Sequence, residues 1–186
     1  MFWLAVALLN DPVVTGYVGR IGERLAPQVS ISITVDTVAR AGTQAGQGIH
    51  LTTAMISGAQ NEAELAGIIA HEIAHYRNRT DKAPPEDSES GLCLRFAGHP
   101  EDSGEAREWE HDADQAAIVM LTKAGYDPGA MLRYFSALRH KEPDLPRAFS
   151  AEDILIERLQ LEATDHPLKD PVVDTREFQA VRERLK

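Results

Sequence analysis

Hydrophobic and polar positions alternate along this chain in blocks whose periods assign most of its elements. The first block, residues 2–9 (FWLAVALL), is continuously apolar. It lacks a basic lead and runs into Asn10-Asp11-Pro12 instead of a small-residue cleavage site. It therefore reads as a short first helix and not as a signal peptide. Asp11 is then placed as an N-cap, with Pro12 at the first helical position. Val13, Tyr17, Val18, Ile21 and Leu25 follow at helical spacing. Residues 30–35 (SISITV) alternate and are rich in β-branched side chains, which predicts a strand. Residues 41–48 (AGTQAGQG) read as a turn-rich loop, and residues 49–56 (IHLTTAMI) as a second strand.

Asn61 with Glu64 forms a capping box that opens a helix running to about residue 79. Residues 80–103 are polar, hold the adjacent prolines Pro84 and Pro85 and many acids, and read as a long mobile loop. A second strong helix is predicted over 104–123, with Gly125 as its glycine stop. Asp127-Pro128 opens another that ends before Pro143. Ser150 with Asp153 caps one more, to about residue 162, and Thr175 opens a last short helix to Leu185. No internal repeat is visible. The sum is one α+β domain over residues 1–186 in which helices dominate.

Bulk properties narrow the function classes. A chain of 186 residues suits one domain with a sizeable core. The formal net charge of -10, without any dense Lys/Arg cluster, argues against nucleic acid or an anionic membrane surface as partner. No apolar run reaches the length of a transmembrane helix. Cys93 is the single cysteine, which excludes an internal disulfide framework and a thiol-rich metal site.

The helix after Asn61 holds His71-Glu72-Ile73-Ala74-His75. His71 and His75 are four positions apart, so both imidazoles share one face a turn apart and two nitrogens can reach one ion. Glu72 stands about 100° round the helix. There it can reach a water at an open zinc position without being a ligand. Zinc lowers the pKa of such a water towards roughly 7, and a carboxylate can take its proton and later deliver it to a leaving amine. Leu65, Ala66, Ile68, Ile69, Ala70, Ile73 and Ala74 make this helix apolar on most sides. Burying two histidines and a glutamate there is costly without a partner such as a metal.

A catalytic zinc usually keeps three protein ligands. The extended pattern HExxHxxGxxH fails, because Asn78 and Asp81 occupy the positions it needs. Residues 108–114 (EWEHDAD) are the obvious supply. Glu110 and Asp114 lie four apart, in line with Ala117 and Leu121, on a face that should point inward. Glu110 could then bind zinc while Asp114 accepts a hydrogen bond from the distal nitrogen of a ligand histidine. His111 is the rival ligand. Glu105 and Glu108 fit a solvated helix start favoured by the dipole.

At these residues the chain resembles the zinc peptidase family of HtpX, the CAAX prenyl protease, BepA and the Oma-type proteases (metallopeptidase family forty-eight). Residues 9–26 are similar to its opening "DP…YV.rIG.rLa" helix, and residues 62–75 to "eaElAgvlaHEiaH". Glu110-His111-Asp112-Ala113-Asp114 with Gly125-Tyr126-Asp127-Pro128 resembles "E..aD…aGydp". Residues 46–51 sit where the family has a turn and edge strand, and residues 173–178 resemble a tail of soluble bacterial members. The resemblance implies a helix-dominated, zincin-like (gluzincin) fold with a small sheet beside the histidine helix. It implies one zinc per chain on His71, His75 and Glu110, with Glu72 as catalytic acid/base and Asp114 behind the ligands. It also implies that Ile49, His50, Leu51, Thr52 and Thr53 form an edge strand that holds an extended peptide by backbone pairing.

The chain departs from the family pattern in three places. Residues 40–48 lack the usual proline and asparagines of the substrate loop. A polar loop, residues 80–103, replaces a longer apolar stretch. The slot for a family histidine holds Ser150-Ala151-Glu152-Asp153, leaving His166 as the candidate transition-state stabiliser. The side chains of His50, His99 and His140 read as ordinary exposed histidines. The expected activity is zinc-dependent endopeptidase action on peptides or unfolded proteins. The alternative is a zinc-stabilised, chaperone-like module that holds clients with little hydrolysis. Soluble relatives are often exported, whereas this chain shows no export signal, so its compartment stays open.

Overall fold

The first apolar block does not end as a helix. A computed structural model describes residues 7–39, 41–44, 48–81, 104–134 and 168–186, with the description confined to the backbone at 44, 78–81 and 104–111. Residues 7–9 are extended. The Leu9 N–H donates to the Ile33 carbonyl at 2.8 Å, the Val35 N–H donates to the Ala7 carbonyl at 2.9 Å, and Leu8 bridges Thr34 in the antiparallel sense. An apolar run without a period suits strand and helix alike. Here the edge of a neighbouring strand decides. The helix starts only after Asp11, whose carboxylate accepts from the N–H of Val13 at 3.0 Å and of Val14 at 3.3 Å. Helix α1, Pro12–Leu25, buries Val14, Tyr17, Val18, Ile21 and Leu25.

Three strands follow: β1 (Ile31–Thr34), β2 (Ala41–Gln44) and β3 (Gly48–Thr52), in the spatial order β1-β3-β2. β1 runs parallel to β3 with Ile31 opposite Ile49, and β2 runs antiparallel to β3 with Ala41 opposite Leu51. Residues 41–44 are therefore a strand and not the expected loop. Ala-Gly-Thr-Gln has little alternation of its own, and the β3 ladder supplies what the sequence lacks, since strand preference is largely context.

The expected edge strand over Ile49, His50, Leu51, Thr52 and Thr53 is also overturned. β3 is the central strand, with Ile49 and Leu51 buried and neighbours on both hydrogen-bonding sides. It also stops short of residue 56. The Thr52 hydroxyl accepts from the Met55 N–H at 3.3 Å and caps a short helix α2, Thr53–Gly58, so Thr53 is helical. Gly48 makes the tight entry to β3. Its φ is +99°, and a Cβ there would sit 2.3 Å from the Ser30 carbonyl oxygen.

Helix α3, Glu62–Asp81, is the centre of the molecule. Its capping box forms as expected. The Glu64 N–H donates to Asn61 Oδ1 at 3.0 Å, and Asn61 Nδ2 donates to Glu64 Oε1 at 3.1 Å. Leu65, Ala66, Ile68, Ile69, Ala70, Ile73 and Ala74 are all buried, because α4 (Gly104–Lys123), α1 and the sheet cover α3 from different sides. Gly125 ends α4 with φ +75°. Asp127 Oδ1 then accepts from the Gly129 N–H at 3.0 Å, and residues 129–134 are helical. The last helix, α5 (Arg176–Arg184), is capped by Thr175, whose hydroxyl accepts from the Phe178 N–H at 3.1 Å. Phe178 and Val181 seat it on the core. The described residues thus form a helix-dominated α+β arrangement with one three-stranded sheet. The expected loop at 80–103 with Cys93, the approach to Pro143, and the helix ending near residue 162 lie outside the described residues. No described helix is long and apolar enough to cross a membrane.

Candidate metal centre

α3 brings His71, Glu72 and His75 into the protein interior, where their exposures are 0%, 0% and 2%. The two histidines lie on one face at the spacing expected of them. Their ring centroids are 4.6 Å apart at 82°, edge to face. His71 Nδ1 lies 2.7 Å from Asp114 Oδ1 on α4. A carboxylate only accepts, so Nδ1 holds the proton and donates it. In the neutral ring, that leaves a lone pair on Nε2. His71 Nε2 in turn lies 3.0 Å from His75 Nε2. Two imidazole nitrogens, that of His71 backed by Asp114, therefore converge on one point.

These residues fit a metal. Imidazole nitrogens sit about 2.0–2.1 Å from zinc, so two on one ion can be no more than about 4 Å apart. The observed 3.0 Å is within that reach. Asp114 occupies the place of an outer hydrogen-bond partner that orients a ligand histidine. It is buried, as are Ala117 and Leu121, so the inward face of α4 lies where the sequence put it. Glu110 and His111 are on the α4 backbone, four and three residues before Asp114, with side chains outside the description. Among the described residues no set of three His, Cys, Asp or Glu side chains gathers as a metal site.

The other candidates separate. Residues 49–52 lie on the central strand and Thr53 begins α2, and His50 is held by its neighbours on β1. Its Nδ1 is 3.2 Å from Ser32 Oγ and its Nε2 is 2.9 Å from Thr34 Oγ1. Burial pushes its pKa down, with nearby Asp36 pulling the other way. His166, His99 and His140 lie outside the described residues. One polar cluster escaped the sequence reading. Glu62, buried in the first turn of α3, accepts from the Tyr17 hydroxyl at 2.7 Å, from the Tyr126 hydroxyl at 2.9 Å and from the Thr175 hydroxyl. Burial, followed by the Glu62 carboxylate, pushes both tyrosines well above the usual phenol range. The only sequence signal was an acid at the head of a helix that is otherwise apolar.

Residues 14–81 match the model of Peptidase family M48. Over this segment the chain is similar to the M48 peptidases. The M48 match runs from α1 to α3 and so includes His71, Glu72 and His75, while α4 with Asp114 follows it. The chain is also similar, over 70% of its length, to the beta-barrel assembly-enhancing proteases of Escherichia coli (strain K12), at 26% identity, and of Yersinia pestis, at 24%. A Vibrio cholerae counterpart is 28% identical over the same share. The aligned part is 34% of each of these proteins, so the chain spans about a third of the length of the curated relatives it matches.

Proposed function

We propose that the chain is a zinc endopeptidase unit of gluzincin type, forming one domain over residues 1–186. His71, His75 and Glu110 hold the metal, and Glu72 is the general base. The observation that carries this reading is the His75–His71–Asp114 relay, with facing Nε2 atoms 3.0 Å apart and Nδ1 tied to a carboxylate at 2.7 Å. Zinc bound there would supply a Lewis acid for the scissile carbonyl and acidify the attacking water. Everything else falls to the chain's own residues. Glu72, next to His71 and fully buried, takes a proton from the water and passes it to the leaving amine. Asp114 keeps the His71 ring oriented and its Nδ1 protonated, so that Nε2 stays a donor atom.

Because β3 is internal, the peptide-pairing edge moves to β2, Ala41–Gln44. That strand is at the end of the sheet and packs beside α3. An extended peptide added there would run past the histidine helix. The relatives' description as beta-barrel assembly-enhancing proteases extends to this chain as a proposal: its clients are unfolded chains at that stage.

The test is Glu72→Gln, which keeps size and hydrogen bonding while removing the base. Zinc content should stay at one per chain while peptide cleavage falls by a factor of at least about a thousand, the upper part of what a positioned acid/base contributes. Near-normal cleavage would sink the mechanism. A wild-type chain that holds zinc and unfolded clients but cuts nothing in a broad peptide library would support the holding role instead.

A further inference from the structure

Two of the side-chain bonds among the described residues tie α3 to α4 and to the turn that closes it. At one, His71 Nδ1–H donates to Asp114 Oδ1 at 2.7 Å; at the other, the Tyr126 hydroxyl donates to Glu62 Oε1 at 2.9 Å. Tyr126 is in the turn that closes α4, where its N–H donates to the Leu121 carbonyl at 2.9 Å. The earlier residue of α3 thus pairs with the later residue of the α4 unit, so the two helices run antiparallel. Nine positions separate Glu62 from His71, roughly 13 Å of helix at about 1.5 Å per residue. They also separate the two by about half a turn, so Glu62 points away from the histidine face. It acts on that face only through the placement of α3.

We propose that the Glu62–Tyr126 bond is a register pin that sets α4 against α3 so that Asp114 meets His71, which makes Glu62 and Tyr126 positioning residues for the metal-binding imidazole. The physical basis is the stiffness of the two helices. A slip of one residue moves a side chain by about 1.5 Å along the axis, and a 2.7 Å hydrogen bond does not survive that. A bond at the far end of the pair therefore controls the near one.

The C-terminal segment braces the same two elements independently. The Asp127 N–H donates to the Val172 carbonyl at 3.0 Å, and the Val172 N–H donates to the Gly125 carbonyl at 2.9 Å, which ties the segment to the turn after α4. Its next residues reach the head of α3. The Ala63 N–H donates to the Val173 carbonyl at 3.0 Å, and the Glu62 N–H donates to Asp174 Oδ1 at 3.2 Å. The Thr175 hydroxyl completes the contact on the Glu62 carboxylate. Burial keeps both tyrosines as neutral donors over the ordinary pH range.

The pin rests on the zinc reading for its consequence, and its test separates the two. Tyr126→Phe removes one hydroxyl and keeps the ring against Arg24, whose guanidinium lies 4.5 Å from the ring centroid. Tyr17→Phe removes a hydroxyl from the same carboxylate but on α1, so it is the matched control. Chelator competition should show zinc binding about three- to tenfold weaker in Tyr126→Phe, below the 10–100-fold typical of losing an outer partner outright. Tyr17→Phe should stay within about twofold of the parent, and in an Asp114→Asn background Tyr126→Phe should have no further effect. The His71 Nδ1 proton resonance of the metal-free chain should likewise shift in Tyr126→Phe and not in Tyr17→Phe. Equal effects from the two tyrosines, or an unmoved resonance with unchanged zinc affinity, overturn the pin. A parent chain that takes up no zinc removes the metal reading, while the resonance still decides the pin.

Discussion

The two ends of α3 bury polar groups in opposite ways. At its head, the Glu62 carboxylate is surrounded by three hydroxyls, all neutral donors from Tyr17, Tyr126 and Thr175. Charge and hydrogen bonds are settled within the protein, and nothing further is required. Two and a half turns on, two imidazole nitrogens face each other at 3.0 Å beside a fully buried glutamate. Only one proton can lie between two such nitrogens, and a cation with several acceptor-hungry positions suits that arrangement far better. A closed polar cluster anchors a fold, whereas two imidazole nitrogens brought together beside a buried carboxylate fit the proposed metal. On the zinc reading, the two halves of the same helix should fail in different ways.

The largest effect is expected at the histidine end. His71→Ala removes one proposed ligand and the hydrogen bond to Asp114, and zinc content should fall from one per chain to near zero. Ligand linkage adds a thermal signature. With free zinc at a hundred times its dissociation constant, binding stabilises the folded chain by about 2.7 kcal/mol. The parent should lose several degrees of Tm when a chelator is added, and His71→Ala should show no response. A chelator response that survives His71→Ala places the metal elsewhere.

The head of α3 should fail by unfolding instead. Glu62→Ala leaves three hydroxyls without their acceptor in a buried site. At about 1–3 kcal/mol for a buried group left unsatisfied, and allowing for rearrangement, the loss should be about 2–3 kcal/mol. Urea denaturation should show a lower midpoint with an unchanged slope. Glu62→Gln should cost about half as much, because its amide oxygen still accepts while its NH2 faces further donors. A loss below about 0.5 kcal/mol for Glu62→Ala would mean that the hydroxyls find other partners and that the cluster is no anchor.

The placement of the histidine end was legible from sequence, because helical spacing is local in the chain. His71, Glu72 and His75 need only the 3.6-residue period, and Asp114 needs only that Ala117 and Leu121 mark an inward face. The head of α3 was not legible. Tyr17, Glu62, Tyr126 and Thr175 are far apart in sequence, and each has an ordinary local reading. The sheet failed for a related reason. Ala41 to Gln44 becomes a strand only because β3 is beside it, and Ile49 to Thr53 is internal because β1 and β2 both pair with it. Pairing partners are a property of the fold, and an edge cannot be told from a centre by the residues of one strand.

The smallest effect, and the finest test of the contrast, lies at His50. Like His71 it is a histidine with both ring nitrogens near polar partners, but these are the hydroxyls of Ser32 and Thr34. A hydroxyl donates or accepts as needed, so either neutral tautomer is satisfied without a cation. Burial holds the folded pKa of His50 below its ordinary value near 6.5, against the pull of Asp36. The folded chain therefore binds fewer protons at this position than the unfolded chain. Its contribution to stability is complete above about pH 6.5 and is lost as the pH falls through the window between the unfolded and folded values. Partial exposure keeps this below about 1 kcal/mol. In chelator, His50→Gln should lower Tm less than the parent does between about pH 7.5 and about pH 5.5, because the rest of the slope is common to both. With zinc added at neutral pH, the variant should bind it as the parent does. An unchanged slope would show that His50 is solvated enough to titrate freely. A loss of zinc would move His50 from the sheet's own bonding into the centre on α3, and the distinction between hydroxyl-held and carboxylate-held histidines would fall with it.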